Sequence, residues 1–218
     1  AEALGTGFLL AAVVGSGIMA ERLAGANIAL ALLANTIATG AALLALILTF
    51  GPISGAHFNP IVSLASLIER AIDWKAFLVY VCIQTAAAIA GVVLANTMFG
   101  LPAISFSRHV RGGTEQLVSE FVASFGLIMV ISSCARQRWN AVAFAVAAYI
   151  SAAYWFTPST SFANPAVTIA RSLSDTFTGI APNNILGFVV AQILGGVAAT
   201  LLFQWLIPRT QNKEEYYG

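Results

Sequence analysis

Residues 54–63 read SGAHFNPIVS and residues 159–168 read STSFANPAVT, so the dipeptide Asn-Pro occurs twice, each time at the start of a short apolar run. Proline at the first helical position costs nothing, because the N–H that it lacks would have had no intrahelical partner. Asparagine directly before it is a favoured N-cap residue. Each Asn-Pro pair therefore predicts the start of a helix rather than a break in one.

Hydrophobic residues dominate the composition. Of the 218 residues, 59% are hydrophobic and 9% are charged, whereas a soluble domain is about 25% charged. Apolar segments near the roughly 20 residues that a spanning helix needs recur along the chain. They run near 3–20, 28–50, 75–97, 117–134, 140–157 and 184–207. The sequence therefore predicts a polytopic, all-α membrane protein, and its formal net charge of +1 indicates no nucleic-acid partner.

Two further apolar pieces, one after each Asn-Pro pair, are too short to span a membrane. They run from Asn59 to about Ile68 and from Asn164 to about Leu173. About ten residues of helix rise roughly 15 Å, which is half of a roughly 30 Å hydrocarbon core. The pieces are therefore predicted to be half-helices that stop at the middle of the membrane, with loops that are buried in protein or line water.

The apolar segments form two similar halves. Glu2 begins the first long segment and Glu120 lies near the start of the fourth, while Gln84 and Gln192 occupy matching places in the third and the sixth. Each half has two spans, a half-helix and a third span, and because three is odd the second half has inverted topology. We expect one transmembrane channel domain, 1–218, made of repeat 1 (1–97), a connecting loop (98–116), repeat 2 (117–207) and a C-terminal tail (208–218).

Both half-helices would begin at the membrane midplane, where inverted repeats place a binding site. Their positive dipole ends converge there, and the side-chain amides of Asn59 and Asn164 add hydrogen-bond donors. Such a centre suits a neutral solute with an oxygen acceptor, and it repels cations. The alternative is two ordinary loops with N-caps, which a single Asn-Pro pair would favour but two matching pairs do not.

The sequence resembles the aquaporin/aquaglyceroporin (major intrinsic protein) family over essentially its whole length. The residues that carry the resemblance are SGAHFNP (54–60), SFANPAVT (161–168), Glu2 with GTGF (5–8), Glu120, and the pair Gln84 and Gln192. The resemblance implies six transmembrane helices plus two re-entrant half-helices, a homotetramer in the lipid bilayer, and one pore per subunit. It also implies passive conduction of small neutral solutes without a cofactor, and hence a channel rather than an enzyme.

By this resemblance, one constriction forms at the Asn-Pro pairs and a second, the selectivity filter, on the outer side. The central constriction comprises Asn59, Pro60, Ile61, Asn164, Pro165 and Ala166. Ile61 stands where the family usually has alanine, which leaves the pore radius at the midplane open. Counting from the Asn-Pro pairs places the filter at Thr39, Ala152, Ser161 and Val167.

Val167 is the most informative filter position. Water-selective members are similar in having a large aromatic residue, a histidine and an arginine where this chain has Thr39, Ala152 and Val167. An arginine would narrow the pore, donate hydrogen bonds and repel cations, so valine predicts a wider, less polar filter. Some bacterial members associated with arsenic resistance look similar in lacking the arginine. The pattern favours glycerol-like polyols and neutral metalloid acids (arsenous acid, methylated arsenicals) as well as water, with a generic polyol pore or a non-selective pore as the alternative.

Several ionisable residues lie near the predicted half-helices. Glu2 and Glu120 would each cost about 2.5–3.5 kcal/mol at the membrane centre unless partnered. They form either a proton relay or, as the resemblance favours, hydrogen-bond acceptors that support the loops. His57 either lines the pore as a pH-sensitive group or braces its loop. Arg171 is expected at the outer end of the second half-helix rather than in the pore. The basic stretch 108–111 is expected in a solvated connection between the halves, with attraction of solute at the mouth as the alternative.

Lysine and arginine indicate the orientation. With the N-terminus in the cytoplasm, six of these ten residues lie inside and four outside, which favours cytoplasmic N- and C-termini in the plasma (inner) membrane. Cys82 and Cys134 are predicted to be small packing residues.

The sequence carries no signal of an enzyme. There is no catalytic triad and no phosphate-binding loop, and His57 and His109 are too separated for a metal site. Two other classes stay open: an ion-coupled secondary transporter, which can also have inverted repeats, and a closed, structural member of the same fold.

Overall fold

A computed structural model describes residues 1–137 and 141–207. These residues are helical or irregular, and the two ranges contain no β-strand. The helices are α1 (Glu2–Leu23), α2 (Ile28–Ser54), α3 (Pro60–Ile68), α4 (Trp74–Met98), α5 (Thr114–Gln137), α6 (Val142–Phe156), α7 (Pro165–Arg171) and α8 (Ile185–Leu206). A single 3-10 turn, Pro182–Asn184, leads into α8.

The long helices correspond to the predicted spans. Five of them, α1, α2, α4, α5 and α8, are long and apolar enough to cross a membrane, and α6 has 15 residues. The predicted segment 140–157 begins at residue 140, which is outside the described ranges. Arg138 and the tail 208–218 also lie outside them. The chain is thus a multi-pass membrane protein, whose described ranges contain six long helices and two short ones.

The two short helices, α3 and α7, begin at the Asn-Pro pairs. Asn59 and Asn164 are N-caps in extended backbone conformation, with φ of −154° and −160°. Each side-chain oxygen accepts a hydrogen bond from a backbone N–H in the first helical turn, and a proline occupies the first position. The prediction of two helix starts is confirmed, although α7 ends at Arg171 and not at the predicted Leu173.

The helices pack as two equivalent groups, α1 with α2 and α4, and α5 with α6 and α8. Glycines permit close contact with a neighbouring helix backbone in both groups: a Cβ on Gly91 of α4 would lie 2.3 Å from the Gly7 carbonyl oxygen, and a Cβ on Gly195 of α8 would lie 2.3 Å from the Phe121 carbonyl oxygen. Small residues let membrane helices approach closely. The same device in both halves fits the inverted repeat, and α2 and α6 join the two groups.

The connection between the halves is anchored to the segment after α7. Backbone N–H groups of Ser105 and Ser107 donate to the carbonyl oxygens of Leu173 (3.0 Å) and Ser172 (2.9 Å). The exposed Arg108 pairs with Asp175 at 2.7 Å. This loop is therefore part of the wall around α7 rather than a free linker.

Candidate functional site

The two asparagines hold the half-helices head to head. The Asn59 side-chain Nδ2 donates to the Ala163 carbonyl oxygen at 2.7 Å, and the Asn164 Nδ2 donates to the Phe58 carbonyl oxygen at 2.9 Å. Each asparagine therefore caps its own helix through oxygen and binds the opposite loop through nitrogen. Both side chains are buried, with 5% exposure.

A buried carboxylate organises the loop before α3. Glu2 accepts hydrogen bonds from the backbone N–H groups of His57 (3.0 Å) and Phe58 (2.8 Å) and from the Ser54 hydroxyl (2.6 Å). The Gln84 amide donates to the same carboxylate at 2.8 Å. Both oxygens of this buried carboxylate are therefore hydrogen-bonded within the protein.

The loop before α7 repeats this arrangement. Glu120 accepts from the backbone N–H groups of Phe162 and Ala163, both at 2.9 Å. The Gln192 amide donates to Glu120 at 2.6 Å and to the Thr168 hydroxyl at 2.9 Å. Each carboxylate is thus bonded to a half-helix loop, which is where the resemblance expects support.

The backbone of these loops is left-handed at matching positions. The φ angle is +49° at Phe58 and +47° at Ala163, a conformation that costs a non-glycine residue roughly 1–2 kcal/mol. The carbonyl oxygens of these same two residues accept the asparagine amides of the opposite loop. The hydrogen bonds that Glu2 and Glu120 accept from the loops, and those that Asn59 and Asn164 donate to them, offset this conformational cost.

A cavity of about 400 Å³ passes these loops. Its wall includes Asn59 and Asn164 between two ends, which we name the α3 mouth (at Glu69 and Arg136) and the α7 mouth (at Tyr154 and Arg171). The long helices contribute mostly apolar side chains: Leu9, Val13, Leu43, Ile47, Leu127, Ile128, Ile131, Val146 and Ile150. The result is an apolar passage with polar groups concentrated on the half-helix loops.

Three of the four predicted filter residues line the cavity: Thr39, Ser161 and Val167. Thr39 accepts a 3.3 Å hydrogen bond from the Tyr154 hydroxyl. The Ser161 Oγ is buried and has no partner among the described residues. Ser161 therefore borders the cavity as a residue, while its hydroxyl oxygen is itself buried.

Ala152 does not lie on the cavity wall. It is exposed on the outside of α6, whose cavity face is the stripe Val146, Ile150 and Tyr154. The ungapped count from Asn164 crosses an irregular loop, where Thr160, Ser161 and Ala163 have positive φ, so helical spacing is lost. Tyr154 lies on the wall near Thr39, and sequence reasoning missed it because its helical register depended on that count.

Ile61 does not narrow the centre of the passage. Its side chain is 1% exposed and packs in a cluster with Ala65, Ile128 and Ala199. A Cβ on Gly196 of α8 would lie 2.2 Å from the Ile61 Cγ2, so the isoleucine fills the space that this glycine leaves.

Three other predicted central residues, Pro60, Pro165 and Ala166, are buried and also lie off the cavity wall. Ala166 is the counterpart of Ile61 and is fully buried. Only the asparagines of the predicted central constriction border the cavity itself.

His57 both borders the cavity and braces its loop. Its Nδ1 lies 3.0 Å from the Ser63 hydroxyl and its Nε2 lies 3.3 Å from the Ser66 hydroxyl. The ring also contacts Tyr80 edge-on, with 5.1 Å between centroids. Both ring nitrogens have partners. The pore-lining position and the loop-bracing role, given as alternatives from the sequence, therefore occur together in His57.

Two arginines are buried together at the α7 mouth. Arg171 is the last residue of α7, as expected of an outer end, but it is only 2% exposed and borders the cavity. Arg111, expected in a solvated connection, is 8% exposed, and its Nε donates to the Gly179 carbonyl oxygen at 2.8 Å. Both guanidinium carbons lie over the Phe162 ring, at 3.5 Å for Arg171 and 5.1 Å for Arg111.

Burial lowers the pKa of Arg111 to about 10, while the charge of Glu120 opposes the shift. The side chain therefore stays cationic at neutral pH. One signal in the sequence points to Arg171: it follows Val167 by four residues, so the two share a helix face. The burial of Arg111 had no comparable signal, because it depends on a loop contact.

An ion pair lies at the α3 mouth. Arg136 contacts Glu69 at 2.6 Å and donates to the Phe203 carbonyl oxygen at 2.6 Å. Among the described residues, no group of three or more His, Cys, Asp or Glu could hold a metal ion. Cys82 is exposed, Cys134 is half-buried, and both are free thiols.

Six long helices around two inverted half-helices, with a passage between the asparagine caps, define a membrane channel for small solutes and not an enzyme. The chain matches the Major intrinsic protein family over residues 1–141 and 133–217. It is 55% identical over 207 residues to Aquaglyceroporin AqpS of Rhizobium meliloti (strain 1021), covering 95% of this chain and 88% of that protein.

More distant similarity extends to plant proteins. Aquaporin NIP1-3 of Oryza sativa subsp. japonica is 30% identical over 206 residues, 91% of this chain and 69% of that protein. Aquaporin NIP1-4 of the same organism is 34% identical over 139 residues, 63% of this chain and 50% of that protein. The chain belongs to the major intrinsic protein family.

Proposed function

We propose that the chain conducts small uncharged solutes passively, with glycerol-like polyols and neutral metalloid acids (arsenous acid and methylated arsenicals) passing as well as water. The observation that carries this proposal is Val167 on the cavity wall, two residues after Pro165, with no charge and a short apolar side chain. The similarity to a protein named aquaglyceroporin supports the polyol part. Under this proposal Thr39, Ser161 and Val167 form the selectivity filter and Asn59 and Asn164 the central constriction.

The wall chemistry matches such solutes. Apolar side chains of the long helices accept the carbon face of a polyol, and the polar residues of the half-helix loops, Asn59 and Asn164 among them, lie on the other side. A hydrated ion would lose its water along the apolar side without replacement, at a cost of several kcal/mol or more. The passage therefore favours neutral molecules that carry both apolar and polar faces.

We place the channel as a homotetramer with one pore per subunit in the plasma (inner) membrane, with cytoplasmic N- and C-termini. The support is the family resemblance together with the lysine and arginine distribution. In this orientation the α7 mouth faces outward and the α3 mouth faces the cytoplasm.

The test is a solute comparison on purified protein in liposomes, with stopped-flow light scattering for glycerol and water and elemental analysis for arsenous acid. Wild type is expected to carry glycerol and arsenous acid, and Val167→Arg is expected to reduce both at least about tenfold with a smaller effect on water, because the added bulk and charge narrow the filter. Val167→Met, which adds length without charge, separates width from electrostatics. Unchanged solute size selectivity in Val167→Arg would show that residue 167 is not in the filter.

Ion-coupled transport makes a different prediction for the same liposomes. Coupling requires charged groups near the binding site, whereas the carboxylate and guanidinium side chains on the wall, those of Glu69, Arg136 and Arg171, lie at the two mouths and not beside Asn59 and Asn164. Flux that saturates at low glycerol concentration and follows a proton or sodium gradient would favour the transporter. Flux that follows only the glycerol gradient is expected of the channel.

A further inference from the structure

The α7 mouth contains a cation that the filter position lacks. Arg171 lies one helical turn beyond Val167 on the same face of α7, and both residues border the cavity. Four residues of helix rise about 6 Å. The guanidinium therefore lies on the path itself, displaced along it from residue 167.

Among the described residues, Arg171 has no carboxylate partner. The ion pairs in the described part of the chain are Arg108 with Asp175 and Arg136 with Glu69. Within the same residues Arg171 donates one hydrogen bond, from Nε to the Thr178 carbonyl oxygen. Its flat face rests on the Phe162 ring, which attracts a cation without neutralising its charge.

A second cation reinforces the first. Arg111 reaches the same ring from the connecting loop, and its guanidinium is fixed by the Gly179 and Ser159 carbonyl oxygens at 2.8 and 3.2 Å. Glu120 of α5 accepts three hydrogen bonds, from the loop before α7 and from Gln192, and within the described residues it forms no ion pair with either arginine. The mouth thus holds two buried positive charges around one phenylalanine.

We propose that Arg171 is a specificity-determining residue of this channel, which repels cations at the α7 mouth and presents N–H donors to the oxygen atoms of entering neutral solutes. The inference rests on the proposed function and deepens it. In a partly dehydrated site, like charges repel over several ångströms far more strongly than in water. Because the charge stands one turn outward from residue 167, the filter stays wide while the path still excludes cations.

The first experiment replaces the charge and keeps a donor. Arg171→Gln is expected to raise the K⁺ conductance of planar bilayers at least about tenfold, which corresponds to about 1.4 kcal/mol. Arg171→Lys, which keeps the charge, is expected to stay near wild type. Arg108→Gln removes the same charge from an exposed loop residue that does not border the cavity, and it is the matched control. Folding is judged by monodisperse elution in detergent.

A second route leaves Arg171 in its packing environment. Val167→Glu places a carboxylate four residues before Arg171, where the two side chains pair on one helix face. The pair neutralises the guanidinium, so a cation leak is expected that exceeds any leak of Val167→Gln, which has equal size and no charge. If Arg171→Gln does not fold, the comparison of Val167→Glu with Val167→Gln tests whether the charge of Arg171 excludes cations.

The outcomes separate the two proposals. A wild-type protein that carries no glycerol overturns the proposed function. The role of Arg171 is overturned if a folded Arg171→Gln has wild-type K⁺ conductance, if Arg171→Lys leaks as much as Arg171→Gln, or if Val167→Glu leaks no more than Val167→Gln. A larger leak in Arg171→Gln than in Arg171→Lys, together with a larger leak in Val167→Glu than in Val167→Gln, supports the proposal.

Discussion

Val62 and Val167 both follow an Asn-Pro pair by two residues, and both border the cavity. Ile61 and Ala166 come one residue earlier, and both are buried off the wall. Each helical residue turns the side-chain direction by about 100°. Neighbouring residues of a half-helix therefore point one into the protein core and the next toward the cavity. Substitutions at these neighbouring positions should therefore have different consequences.

Ile61→Ala is expected to cost stability and leave selectivity unchanged. Removing a fully buried isoleucine opens a space against Gly196, and such truncations cost about 2–5 kcal/mol. Thermal unfolding in detergent should shift to lower temperature, while the ratio of glycerol to water permeability in liposomes stays at the wild-type value. A changed ratio would place Ile61 on the passage after all.

Counting along the sequence located the filter residue in α2 but not the one in α6. Most of the residues between Thr39 and Asn59 belong to helix α2, and only a short loop follows it. The count back from Asn59 therefore reached a residue on the cavity wall. Ala152 precedes Asn164 across the irregular residues 157–163, and the same count missed the wall. Irregular backbone has no fixed rise or turn per residue, so side-chain direction beyond it needs coordinates.

At the scale of elements, the half-helices depend on buried carboxylates in α1 and α5. Glu2 and Glu120 were recognisable in the sequence, because an unpartnered charge in an apolar helix is costly. Their individual partners were not, because they are backbone N–H groups of loops more than 40 residues away in the chain. The two glutamates therefore predicted that buried hydrogen-bond partners exist. Which loop each glutamate binds is determined by the fold.

Glu120→Gln and Glu2→Gln form a matched pair of tests. The amide nitrogen of glutamine cannot accept a loop N–H, and each hydrogen bond to a charged group contributes about 1.5–3 kcal/mol. Both variants should unfold at lower temperature. Only Glu120→Gln should change the ratio of glycerol to water permeability, because its loop carries Ser161 and leads to Val167. Equal changes of the ratio in both variants would contradict this assignment.

At the scale of the whole molecule, the fold class followed from composition and repetition: long apolar segments, two short ones, and paired polar residues in each half. The burial of Arg111 and Arg171 did not follow, because charged residues are usually exposed. It depends on how the connecting loop closes over α7, and on Phe162 between the two guanidinium groups. Contacts of this kind join distant parts of the chain and have no local pattern.

The topology predicts opposite accessibility for Lys75 and Arg108. Both are exposed; Lys75 lies in the first turn of α4, which is a single span, and Arg108 lies beyond its other end. With Cys82→Ala and Cys134→Ala as background, Arg108→Cys should react with a bulky impermeant maleimide in intact cells, and Lys75→Cys only after permeabilisation. Labelling of both from outside would contradict the inverted arrangement, and the reverse pattern would invert the proposed orientation.

The reciprocal asparagine bonds have a consequence for biosynthesis. Asn59 bonds a carbonyl 104 residues further along the chain, and the Phe58 carbonyl bonds an asparagine 106 residues further along. At roughly 5–20 residues per second, the ribosome needs about 5–20 s to make that stretch. During this interval the first loop must keep its polar groups in contact with water or with the insertion machinery. The passage is therefore completed last, and a half-made chain has no finished pore through which the cell could leak.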